Sequence, residues 1–97
     1  MKLVFSAQAL ADLEHIADYY RMHASPAVAE AVARRVRQVL TRIAHAPESA
    51  PRLVQRPAVR VVPLIRYPYK IFYRVAGEGI DILHIRHTSR KLWEGER

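Results

Sequence analysis

The feature that most constrains this chain is a change of hydrophobic period across the stretch PESAPRLVQRPA, residues 47–58. Before it, apolar residues recur every three or four positions: Leu10, Leu13, Ala17 and Tyr20, then Ala29, Val32, Val36, Val39, Leu40 and Ile43. That spacing gathers them on one side of an α-helix. After it, residues 59–65, 69–75 and 80–87 are β-rich and carry apolar side chains at a period nearer two, as a strand does when it buries one face. Neither half can cover its own apolar surface, so the helices must pack on the sheet.

The punctuation sharpens this division. Ser6 can cap a first helix with its hydroxyl, and that helix ends near His23. Asp12, Glu14 and Asp18 lie toward its start, where the helix dipole favours anions. Ser25-Pro26 restarts a helix with proline where its missing N–H costs nothing, and Pro47 stops it. The tight link between the helices predicts an antiparallel hairpin. Residues 1–5 form a short apolar run suited to a first strand. Short connections at 66–68 and 76–79 make the last three strands an antiparallel meander, and Pro63 marks its first strand as an edge or a bulge. The expected architecture is α+β in the order β-α-α-β-β-β, a helical hairpin on one face of a small antiparallel sheet, forming a single domain over residues 1–97.

The 97 residues contain no cysteine, which excludes disulfides and thiolate chemistry. No apolar run is long enough to span a bilayer or serve as a signal peptide, so a soluble, cytoplasmic protein is expected, with no membrane partner. No glycine-rich phosphate loop or nucleophile elbow is present, and no cofactor is expected. His84 and His87 are three apart, so on a strand their imidazoles diverge, and no metal site is expected. Net charge is +7, with ten Lys/Arg against four Asp/Glu in residues 51–97 and six against five in residues 1–50. The basic half calls for an anionic partner, either nucleic acid or an acidic protein.

That basicity centres on RYPYKIFYRV, residues 66–75, with Tyr69, Ile71, Tyr73 and Val75 pointing one way and Lys70, Phe72 and Arg74 the other. Tyr67, Tyr69 and Tyr73 read as cross-strand packing residues with wetted hydroxyls. Arg34, Arg35, Arg37 and Arg42 read as a solvated helix face, and His15, His23 and His45 as helix-surface residues without further role.

Three stretches, LVFSAQALADLEHIADYY, VRVVPLIRYPYKIFYRV and GIDILHIRHTSR, together resemble the ParE/RelE superfamily of type II toxins over nearly the whole chain. The resemblance implies a growth-inhibiting toxin neutralised in a hetero-oligomer by a cognate antitoxin. The antitoxin's acidic, partly disordered C-terminal segment would wrap around the toxin, and the toxin itself would make no sequence-specific DNA contact. ParE-like members poison DNA gyrase by binding, whereas RelE-like members cut mRNA on the ribosome. Of the nuclease pattern, Lys70 and Arg90 match basic positions, and His87 could substitute for a missing acid–base group. The lysine pair of that pattern falls near Val61 and Pro63, and Trp93 stands nearest to its tyrosine. The sequence is closer to the ParE-like branch, with a RelE-like ribosome-dependent mRNA endonuclease as the alternative and a non-toxic basic RNA- or antitoxin-binding module as a further one. Target contact is expected from Arg60, Arg66, Lys70, Arg74, Arg86 and Arg90, and a nuclease would use Lys70, His87 and Arg90.

Overall fold

A computed structural model describes residues 1–89. The elements are β1 (Lys2–Phe5), α1 (Ala7–His23), α2 (Pro26–His45), β2 (Arg60–Pro63), β3 (Tyr69–Ala76) and β4 (Gly79–His87), in the expected order. Both helix starts are built as the sequence implied. The Ser6 and Ser25 hydroxyls accept from the backbone N–H groups of Ala9 and Val28, and Pro26 opens α2.

The strands lie in the order β1-β4-β3-β2. The meander is antiparallel, as expected. β1, however, joins β4 in parallel, so the sheet is mixed. The reason lies in the connections. The helical hairpin and the 46–59 connection carry the chain from one sheet edge to the other, and β2 starts there running in the same direction as β1. Two hairpin turns later, β4 again runs in that direction and meets β1 side by side.

β2 is shorter than the period suggested. Leu64 N–H still donates to the Tyr69 carbonyl at 2.9 Å, in step with the ladder, but Ile65 then takes a positive φ of 72° and turns the chain away. As an edge strand it is covered by the proline-rich connection, where Val61 N–H donates to the Pro51 carbonyl at 3.1 Å and Leu53 N–H to the Val59 carbonyl at 2.9 Å.

The core lies between the helices and one sheet face. It joins Ala9, Ile16, Val32, Val36, Val39, Leu40 and Ile43 to Ile71, Tyr73, Ile80, Ile82 and Ile85. On α1 the buried stripe differs from the expected one. Ala9, Asp12 and Ile16 are buried, whereas Leu10 is exposed. Tyr73 also departs from expectation, because its hydroxyl is enclosed and donates to the Pro47 carbonyl at 2.7 Å instead of meeting water.

No helix among the described residues is long and apolar enough to cross a membrane.

Candidate functional site

The position of each basic side chain depends on one irregularity in the β3–β4 ladder. Tyr73 pairs with Ile82, but Phe72 pairs with His84, leaving Leu83 as an extra residue in β4. Such a bulge shifts the side-chain alternation by one residue. Ile80 and Ile82 face the core before it, and Ile85 does so after it. Two side chains from the start of α1 satisfy the bulged backbone. The Ser6 hydroxyl donates to the Leu83 carbonyl at 2.6 Å. Asp12, only 8% exposed, accepts from the Ile85 N–H at 2.9 Å and from the Gln8 side-chain amide at 2.7 Å. Asp12 therefore extends the edge of β4 beyond the end of β1, which is a different role from neutralising a helix dipole.

Beyond the bulge, Lys70 pairs with Arg86 on the outer face, while Tyr69 pairs with His87 on the helix-facing side. The structure thus brings Lys70 and Arg86 together and separates Lys70 from His87. His84 lies on the outer face, its ring edge-on to Phe72 at 4.7 Å, so the two histidines diverge as expected. Among the described residues no group of three potential ligands could hold a metal ion.

The remaining expected contacts divide. The Arg60 guanidinium donates to the Glu48 and Ala50 carbonyls at 3.0 and 2.7 Å and so fastens the proline-rich connection. Arg74 pairs with Asp81 at 3.1 Å on the outer face, near the β3–β4 turn. Arg66 is exposed on the connection between β2 and β3. Arg90, together with Lys91 and Trp93, lies outside the described residues. Of the helix arginines, Arg37 pairs with Glu30, but Arg35 is not simply solvated. Its Nε donates to the Leu64 carbonyl at 2.8 Å.

A cleft of about 580 Å³ opens beside His87, between α1 and the sheet. Gln8, Asp12, His15 and Tyr19 line it from one stripe of α1, opposite Tyr69 and His87. Tyr69 sits edge-on to Tyr20 at 6.4 Å and to His87 at 5.3 Å. The backbone N–H of Ser89 lies 3.2 Å from His87 Nδ1, and the Ser89 hydroxyl lies 2.9 Å from the same nitrogen. Sequence reasoning missed His15 as part of this group. The available signal was the helical spacing of residues 8, 12, 15 and 19, polar or aromatic at each step.

The family model of the ParE toxin of type II toxin–antitoxin systems, parDE, matches residues 3–92. The chain belongs to the ParE toxin family. A toxin of this family implies an antitoxin partner. The fold is shared with a chain from the chromosomal ParDE toxin–antitoxin system of P. aeruginosa. That chain is 29% identical, with 92% of this chain and 97% of that one covered and a TM-score of 0.82. The isolated E. coli RelE toxin has the same fold at 18% identity, covering 98% of this chain and 92% of its own, with a TM-score of 0.68. So does the YoeB/ParE toxin from Agrobacterium tumefaciens at 15% identity, 90% and 98% coverage and a TM-score of 0.62. No curated protein matches the chain in sequence.

Proposed function

We propose that this ParE-family chain arrests growth by binding and poisoning DNA gyrase, with no catalytic set of its own. In this reading residues 1–97 form one cytoplasmic toxin domain. It is silenced in a hetero-oligomer by a cognate antitoxin whose acidic C-terminal segment folds onto it. The observation that carries the reading is the placement of Lys70 and His87 on opposite faces of the sheet. A ribonuclease needs its base, its acid and its phosphate-binding cations around one scissile bond, whereas a binding toxin needs only a surface. The side-by-side pair of Lys70 and Arg86 supplies such a surface with concentrated positive charge. The net charge of +7 adds electrostatic steering toward an acidic partner. An apolar groove of about 330 Å³ between α1 and α2, lined by Leu13, Ala17, Ala33 and Leu40 with Arg37 beside them, suits an amphipathic acidic segment.

The direct test incubates the antitoxin-free chain with bacterial gyrase, ATP and relaxed plasmid. Loss of supercoiling with cleaved plasmid trapped is the expected result. Normal supercoiling at concentrations that still halt growth would reject gyrase and direct attention to the ribosome.

A further inference from the structure

The connection from β2 to β3 contains the one non-glycine residue with positive φ among those described, Ile65 at 72°. The Arg66 N–H folds back to the Leu64 carbonyl at 2.8 Å, which makes the turn a γ-turn centred on Ile65, of the rare hand with positive φ. A β-branched residue is among the least suited to that region. Burial does not explain the choice, because Ile65 is 75% exposed.

Its surroundings hold the turn firmly. Leu64 is fully buried, and Tyr67 packs against the core with its ring edge-on to Tyr20. Arg35 Nε reinforces the Leu64 carbonyl, the Leu64 N–H binds the Tyr69 carbonyl, and the Thr88 N–H binds the Pro68 carbonyl at 2.8 Å. The chain thus presents an aliphatic side chain on a fixed backbone, with the exposed Arg66 next to it and Lys70 on the same connection's exit strand. Backbone strain of this kind clusters at functional sites, and here it falls on an exposed position held by anchored neighbours.

We propose that the Ile65–Arg66 tip is a preformed anchor for a folded protein partner, the growth-arrest target, presenting an apolar socket edged by carboxylates. Rigidity argues for a folded partner, since an anchor held in its bound shape gains affinity by avoiding ordering costs. An antitoxin segment that folds as it binds adapts to its surface and needs no such anchor. This inference rests on the proposed toxin activity and adds the residues that engage its target.

The test compares the full chain with Ile65→Val, Ile65→Thr and Ile65→Gly. Three quantities are read: growth arrest on induced expression, binding to immobilised bacterial gyrase, and the thermal midpoint. Val keeps the branched apolar side chain and keeps arrest. Thr keeps the branch at Cβ, and so the backbone bias, but exchanges the apolar end for a hydroxyl. It loses about tenfold or more in binding and arrest at an unchanged midpoint. Gly loses as much, while its midpoint stays at or above that of the parent because glycine adopts positive φ freely.

Undiminished arrest by both Thr and Gly overturns the proposal. So does a Thr variant that arrests growth fully but escapes silencing by co-expressed antitoxin, which would place the tip in the antitoxin interface. If the parent arrests growth without binding gyrase, the gyrase reading fails and the same comparison on arrest alone decides the anchor. A parent that arrests nothing removes both.

Discussion

At the end of the sheet that holds the β3–β4 turn, each demanding position carries the residue suited to it. Gly77 takes the positive φ of 61° in a turn with open space around its Cα. Arg60 is committed to two carbonyls, Arg74 to Asp81, and the Tyr73 hydroxyl to Pro47. At the opposite end, the positive φ falls on exposed Ile65, two cations pair across the ladder on the outer face, and a cleft opens on the helix-facing side beside His87. Arginines fasten loops and strands at one end, whereas at the other Arg86 stands beside Lys70 on the outer face. Arginine content alone therefore locates no site, because a guanidinium bound to backbone carbonyls is part of the scaffold.

The contrast can be broken most decisively with the cations. Replacing Lys70 and Arg86 together by alanine should reduce growth arrest by about 30-fold or more, the scale of losing a binding hot spot, in a dose–response of induced expression. Arg60→Ala should instead lower stability by about 1–3 kcal/mol in chemical denaturation, because two carbonyls lose their donor. Residual arrest should then follow the folded fraction. If the two outcomes exchange places, the division between the ends is wrong.

A smaller effect tests the turn. Gly77→Ala should cost about 1 kcal/mol from backbone conformation alone, since nothing lies within 4 Å of the added Cβ. That cost is the counterpart of the relief expected at position 65.

The smallest effect is a pH dependence. Burial pushes the Tyr73 phenol above its ordinary 10.0, only partly opposed by the neighbouring Arg60 and a backbone hydrogen bond. The folded chain therefore holds this proton more tightly than the unfolded chain does. The associated stability is complete below about pH 10 and is lost as pH rises through the folded value. Tyr73→Phe should cost about 1 kcal/mol near neutrality and flatten the decline in unfolding free energy above pH 10.

The layer architecture was legible because its signals are local: Ser6 and Ser25-Pro26 as helix starts, the proline-rich stretch, and the change of period. The parallel pairing of β1 with β4 was not, since it joins residues more than seventy apart and leaves no local trace. The division of the site followed from a single bulged residue. Strict alternation from Ile80 would have put Arg86 on the core face. The step of three from Ile82 to Ile85 is the mark of the bulge at Leu83, and it reads clearly only once Ser6 and Asp12 are seen holding it. Ile65 escaped for the opposite reason. Its propensity favours a strand, and a residue used against its propensity gives no sequence signal.

The pairing of the first strand with the last also sets a schedule for synthesis. Lys2–Phe5 emerges early, but its partners Gly79–Ile82 follow 77 residues later, about 4–15 s at ordinary bacterial elongation rates. Through that interval α1 and α2 are already made while the sheet that completes their core is not. The four-stranded sheet, and with it the proposed contact surface, is therefore completed only after β4 has emerged. A product truncated before Gly79 would leave β1 without its partner strand, and on the proposed reading it should not arrest growth.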